Sequence, residues 1–176
     1  MPNIFVIKKK IKNFNNKIIT VSGDKSLSIR WVLFASLAEG KSKSSNLLVS
    51  EDVKASIQAI KKLGIKTRLR KNSCEIQGKG LSGYNYKNNI IINAKNSGTL
   101  GRLILGLLVN SDKKIKLIGD KSLSKRDFKR ISKPLEKFGA KFKLTKNKYL
   151  PLRILGTKNL KPIDYYEKRG SAQVKS

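Results

Sequence analysis

The feature that most constrains this chain is a segment plan that returns at a near-constant interval. Gly23-Asp24-Lys25-Ser26 follows an apolar alternating run, Lys17 to Ser22, and opens a helical pattern from Leu27 to Ala38 with Arg30 one turn in. The plan recurs at Asn96-Ser97-Gly98-Thr99 with Arg102, and at Ser171-Ala172-Gln173 with Lys175. Ser26, Ser97 and Ser171 lie 71 and 74 residues apart. The ends of the units align as well: Leu63-Gly64-Ile65-Lys66 and Phe138-Gly139-Ala140-Lys141 each close a helix with glycine and start a strand. Self-similarity at a fixed period means one structural unit copied.

Each repeated segment places a hydroxyl and a cation at a helix start. The first N–H groups of a helix have no partner and its dipole is positive there, so a phosphate or carboxylate is favoured. Taken singly, Ser171 reads as an N-cap, Gly98 as a packing glycine and Arg126 as a solvated helix cation. Taken together, the copies point to one shared anionic site.

The chain holds 40 Lys and Arg against 11 Asp and Glu, a formal charge of +29. A nucleic-acid-binding module is the first reading of such a charge. The excess, however, is spread along the chain, and the aromatic residues, 7% of the total, form no interleaved stacking pattern. Lysine filling solvated positions accounts for it equally well. Cys74 is the only cysteine, which excludes an internal disulfide, and the absence of histidine excludes imidazole metal ligands and Ser-His-Asp triads. Ile4 to Ile7 is too short for a signal-peptide core, and no apolar run reaches membrane-spanning length. The expectation is a soluble, cytoplasmic protein.

In chain order, Ile4 to Lys8 and Lys17 to Ser22 read as strands. Leu27 to Ala38 reads as a helix apolar around much of its girth, stopped by Gly40. Asn46 to Val49 reads as a short strand, and Ser50-Glu51-Asp52 caps a helix with Val53, Ile57, Ile60 and Leu63 on one face. Lys66 to Lys71 and Cys74 to Gln77 form a hairpin, with Cys74 a small buried hydrophobe. Residues 79 to 89 read as a polar linker. The second unit runs from the buried strand Ile90-Ile91-Ile92 through a helix on Leu100, Leu103, Ile104, Leu107 and Leu108 to the strand Lys114 to Ile118. An amphipathic helix on Phe128, Ile131, Leu135 and Phe138 follows, with Pro134 inside it, then strands Lys141 to Leu144 and Leu152 to Leu155. Pro162 to Tyr166 would begin a third copy, and the sequence stops a few residues into its first helix.

At these residues the sequence resembles the enolpyruvyl transferases, and within them the branch that acts on shikimate 3-phosphate. The resemblance rests on Gly23-Asp24-Lys25-Ser26 with Arg30, Asn96-Ser97-Gly98-Thr99 with Arg102, Gly119-Asp120 with Ser122-Leu123 and Arg126, Leu150-Pro151-Leu152, and Ser171-Ala172-Gln173-Val174-Lys175-Ser176. Five motifs in register are far more specific than any one. The resemblance implies an α/β (α+β) inside-out fold of βαβαββ repeats, with two complete repeats and the start of a third present. On that frame residues 1–16 hold a strand of the other domain plus a linker, 17–80 repeat 1, 81–158 repeat 2, and 159–176 the start of repeat 3.

It further implies transfer of the enolpyruvyl group of phosphoenolpyruvate to the 5-hydroxyl of shikimate 3-phosphate, releasing phosphate. No cofactor or metal is called for, and neither nucleic acid nor membrane is an expected partner. Carried over by residue, Lys25 would act in catalysis and contact both substrates. Shikimate 3-phosphate would be held by Lys25, Ser26, Arg30, Ser171, Ala172 and Gln173. Phosphoenolpyruvate would be held by Lys25, Gly98, Arg126 and Gln173, with Asn96 and Arg102 as further candidates. Three departures stand out. Asp127 replaces a usual Pro and is placed to pair with Arg126, Lys95 replaces a usual Gly, and Lys168-Arg169-Gly170 replaces a Pro-led approach. The family's acid/base carboxylates have no counterpart here, so this chain is expected to be a front fragment, inactive alone, of a protein that is monomeric when complete. Two alternatives remain: a UDP-N-acetylglucosamine enolpyruvyl transferase, whose mark is a reactive loop cysteine, and a basic nucleic-acid-binding module.

Overall fold

The computed structural model describes residues 21–167 and 170–176. The expected strands Ile4 to Lys8 and, apart from Val21 and Ser22, Lys17 to Ser22 lie outside them, as does the Lys168-Arg169 part of the third departure.

Helix α1 spans Lys25–Leu37. Asp24 caps it, its carboxylate accepting from Leu27 N at 2.7 Å. Its Ile29, Val32, Leu33 and Ala35 are buried, whereas Leu27 and Phe34 are exposed, so the buried girth is narrower than the sequence suggests. The chain then enters strand β1, Glu39–Ser44, without a stop; Gly40, expected to end the helix, lies inside the strand. No strand forms at Asn46 to Val49. Leu47 is buried there, but its N–H is taken by Asn72 O at 2.7 Å, and Leu48 N donates to the buried Ser28 Oγ at 3.0 Å. The apolar run marks a plugged loop. The true strand has serines, not hydrophobes, on its inner side.

Helix α2, Glu51–Lys62, forms as its N-cap predicts, with Ser50 Oγ accepting from Val53 N and Glu51 and Asp52 in the first turn. Strands β2, Lys66–Arg70, and β3, Ser73–Lys79, make the hairpin. The second sheet takes β4, Ile90–Asn93; β5, Lys114–Ile118; β6, Lys141–Thr145; and β7, Tyr149–Leu155. Between these strands lie α3, Gly98–Leu108, a 3-10 turn at Leu123–Lys125, and α4, Lys129–Lys137. Phe128 is not on the α4 stripe but at its N-cap position, fully buried. The linker carries more than polar residues: Tyr84 Oη sits 2.7 Å from Ser36 Oγ, and Tyr86 bonds Ser111. Ile91 is exposed, and Pro162 to Tyr166 forms no strand. A single turn, α5, Ala172–Lys175, follows Ser171.

The first sheet has the order β1-β3-β2 and the second β4-β5-β7-β6. In each, two strands pair antiparallel with a central one, β3 or β7, whose inner residues are buried: Cys74 and Ile76 in the first, Leu150, Leu152 and Ile154 in the second. β4 adds a parallel partner to β5. The α1-β1-α2-β2-β3 and α3-β5-α4-β6-β7 segments thus have the same element order and strand pairing. The helices pack on the inner faces. α1 touches α2, β3 and α3, while α2 also meets β2 and β4, so one apolar core runs through both sheets. The outer faces are polar, with Lys116, Arg153 and Lys143 side by side across three strands. This is the inside-out α/β arrangement implied by the resemblance. No described helix is long and apolar enough to cross a membrane.

Candidate functional site

The first group of candidates sits at the start of α1. Lys25 and Ser26 are exposed and Arg30 is half-buried. Lys25 Nζ rests 3.5 Å from Asp52 Oδ2 at the start of α2, a solvent-screened ion pair that an incoming anion can displace at little cost. Ser26 Oγ and the Arg30 guanidinium have no hydrogen bond or ion pair among the described residues, which leaves their donors available.

The second group gathers at the start of α3. Ser97 is fully buried and caps the helix, accepting from Leu100 N at 3.2 Å. Gly98 follows, and a Cβ added there would stand 2.8 Å from Arg102 Nη1 and 3.0 Å from Arg126 Nη1. The missing side chain is what lets two guanidiniums converge on this helix start. Arg102 is buried, lies over the Phe128 ring at 5.3 Å, and donates from Nη1 to Gln173 Oε1 at 2.9 Å. Burial, with Arg130 and Arg126 nearby, pushes its pKa down to about 10. Gln173 Nε2 in turn lies 3.4 Å from Thr99 Oγ1. Gly98 and Arg102 of α3, Arg126 of the following turn and Gln173 of α5 therefore share one place, and α3 is in contact with both α1 and α5. Ser171 is half-buried and Ala172 exposed at the start of α5. Ser171 makes no side-chain cap bond there.

Asn96 has a structural tie. Its Nδ2 donates to Asp120 Oδ2 at 2.7 Å, and Asp120 Oδ1 accepts from Leu123 N at 2.7 Å, locking the loop before α3 to the turn that presents Arg126. The Asn96 amide and the Leu123 N–H hold the Asp120 carboxyl below its ordinary range. A depressed carboxylate contributes stability that is complete above its unfolded pKa and fades as pH falls through the folded one. Acidification below about pH 4 is therefore expected to loosen the 96–126 region. The check is a stability profile against pH in which Asp120→Asn flattens part of the acid limb.

The expected competition of Asp127 for Arg126 is not what the structure shows. Asp127 Oδ2 pairs with Lys148 Nζ at 3.7 Å and its Oδ1 accepts from Lys129 N at 2.8 Å, because the chain turns into α4 there and aims the carboxylate at its own helix start. Arg126 is left exposed beside Gly98. Lys95, the other departure, has φ 53, a left-handed conformation that glycine adopts freely and lysine only with strain. Its N–H donates to Asn93 Oδ1 at 2.8 Å and its carbonyl accepts from Asp120 N at 2.8 Å, so the backbone is fixed in that shape. Lys95→Gly is expected to stabilise the chain by about 0.5–1 kcal/mol, read as a shifted urea midpoint.

Sequence reasoning missed three participants. In the sequence Thr99 reads only as the end of the Asn96-Ser97-Gly98-Thr99 motif with no role of its own, nothing singles out Arg130, and Phe128 reads as a core stripe residue; no periodicity could show that its ring lies beneath a guanidinium. Cys74, by contrast, lies where expected. It is buried in β3, and burial pushes its thiol pKa up, which is not the setting of a reactive loop cysteine.

The family model described as EPSP synthase (3-phosphoshikimate 1-carboxyvinyltransferase) matches residues 8–176. The chain belongs to the EPSP synthase family. Two proteins of Streptococcus agalactiae, serotypes Ia and V, each named 3-phosphoshikimate 1-carboxyvinyltransferase, are 42% identical to it over 159 residues, covering 90% of this chain. Among solved structures, an EPSP synthase from Acinetobacter baumannii superimposes with a TM-score of 0.83 at 37% identity over 89% of the chain. The match covers 37% of those curated relatives and 36% of the solved chain, so this EPSP synthase family chain spans little more than a third of their length.

Proposed function

We propose that this chain carries part of the substrate site for transfer of the enolpyruvyl group of phosphoenolpyruvate to the 5-hydroxyl of shikimate 3-phosphate. In that reaction the hydroxyl gives up its proton as its oxygen bonds to C2 of phosphoenolpyruvate, C3 gains a proton, and phosphate then leaves C2 as C3 loses a proton and the double bond re-forms. The observation that supports the reading is the convergence on Gly98 of Arg102, Arg126 and Gln173 from three separate segments. Both substrates are anions, and charge-assisted bonds from guanidinium and amide donors suit them. Lys25 balances the phosphoenolpyruvate charge once it leaves Asp52. Ser26, Arg30, Ser171 and the Ala172 backbone hold shikimate 3-phosphate, and Gln173 reaches both ligands. Gly98 and Arg126 take phosphoenolpyruvate. On this reading the two copies of the unit occupy residues 17–80 and 81–158.

The test is calorimetric titration of the 176-residue chain with each substrate at moderate salt. Saturable binding that falls about tenfold in Arg126→Ala and in Lys25→Ala is expected, the loss of one charge-assisted contact each. The chain alone should release no phosphate from the mixture. Binding of duplex DNA with a steep salt dependence, and no response to either substrate, would favour the basic-module reading instead.

A further inference from the structure

Arg102 is out of place as an ordinary structural arginine. It is 6% exposed, and its Nε has no hydrogen-bond partner. Among the described residues no carboxylate lies within ion-pair distance of it; Arg130 and Arg126 repel it, and only the more distant Asp127, which pairs with Lys148, attracts it. A buried cation left in this state is costly. Among the described residues its Nη1 reaches only two acceptors, Gly98 O at 3.4 Å and Gln173 Oε1 at 2.9 Å.

The chemistry of those donors settles the orientation of a partner. A guanidinium donates and never accepts, so the atom of Gln173 facing it must be the carbonyl oxygen. The amide nitrogen is thereby turned away, toward Thr99 Oγ1 at 3.4 Å, on the α3 start that also carries Gly98. That nitrogen has two protons, and Thr99 engages one of them. A free glutamine can flip and offer a ligand either donor or acceptor; held by Arg102, this one offers only donors.

We propose that Arg102 is a positioning residue that locks the Gln173 side chain with its amide N–H group toward the ligand, making this corner of the site accept phosphate-type anions and reject groups that present a proton. The proposal rests on the reading of Gln173 as a ligand-binding residue. It also accounts for burying a cation without a directly paired carboxylate among the described residues, since such a partner for Arg102 would take the place of the Gln173 oxygen and release the amide.

The test uses the full chain, labelled with nitrogen-15, and inorganic phosphate as the probe. The side-chain amide signals of Gln173, identified by their loss in Gln173→Glu, are expected apart from those of exposed glutamines and to shift as phosphate is added. In Arg102→Met, which keeps an apolar stem over Phe128, they should move to the exposed position while phosphate affinity drops about tenfold. Arg102→Lys should restore a displaced signal in part. Gln173→Glu should raise the melting temperature, because the buried guanidinium gains a carboxylate, and yet weaken phosphate binding by about tenfold or more. Amide signals unchanged in Arg102→Met, or a lowered melting temperature in Gln173→Glu, would overturn the proposal. If Arg102→Met does not fold, Arg102→Lys and Gln173→Glu decide it. A wild-type chain whose displaced Gln173 amide ignores phosphate, phosphoenolpyruvate and shikimate 3-phosphate would sink the substrate-site reading and leave the orientation standing.

Discussion

Phe128→Ala lowers the stability of the chain by about 3–5 kcal/mol, the range for emptying a fully buried aromatic site. The side chain is completely excluded from solvent. Its ring packs where a Cβ on Gly101 would approach within 3.4 Å, and it carries the Arg102 guanidinium on its face. The backbone around it is tied independently, since Phe128 N donates to Lys148 O and Phe128 O accepts from Ile131 N and Ser132 N. The loss therefore falls on the ring. It divides into a cavity between α3 and α4 and about 1 kcal/mol of cation–π attraction. Urea unfolding measures the total. Phe128→Leu, which refills most of the volume but not the π face, separates the two parts and should cost far less. A loss under about 1 kcal/mol for the alanine variant would mean that the ring does not fill this site.

Gly98→Ala should leave stability within about 1 kcal/mol of the parent while weakening anion binding about tenfold. The added methyl must occupy space now held by two guanidinium nitrogens, at 2.8 and 3.0 Å. The two arginines cannot yield equally. Arg102 is buried and held by Gln173, whereas Arg126 is exposed and has no ion pair among the described residues. The methyl thus drives Arg126 away from the start of α3, and the site loses its movable cation. Stability is spared because alanine suits a helix better than glycine, which offsets the crowding. Phosphate titration with a melting curve checks both halves. Unchanged affinity would place Arg126 outside the site.

The repeat was legible because its marks are chemical. Hydroxyl caps, glycines past helix ends and apolar residues at helical spacing fix α2, α3 and β5 nearly to the residue. The same logic misplaced the first crossover strand. Glu39–Ser44 shows no hydrophobic alternation, since Ser42 and Ser44 face inward, and its pairing with β3 is a backbone matter. The apolar Leu47 drew attention to the wrong segment. In the candidate site, Lys25 and Arg30 stood out from type and spacing at a helix start, whereas Gly98 and Arg126 entered through the family resemblance. The Arg102–Gln173 bond was not legible, because it joins residues on α3 and α5 through an interior that only tertiary packing creates. The Asp127 expectation failed for a related reason: adjacency in sequence to Arg126 said nothing of where a carboxylate points once a helix begins beside it.

Helix α2 meets β2 on one side and β4 on the other, and the tyrosines of the connecting segment reach from Ser36 to Ser111. The two copies accordingly have no seam along which one could melt while the other persisted. Heating should give a single calorimetric transition whose van't Hoff and measured enthalpies agree, and the amides of β3 and β7 should exchange with solvent at a common rate limit. A duplicated ancestor would thus have traded two independent foldable pieces for one all-or-none body, and losing either copy would forfeit both.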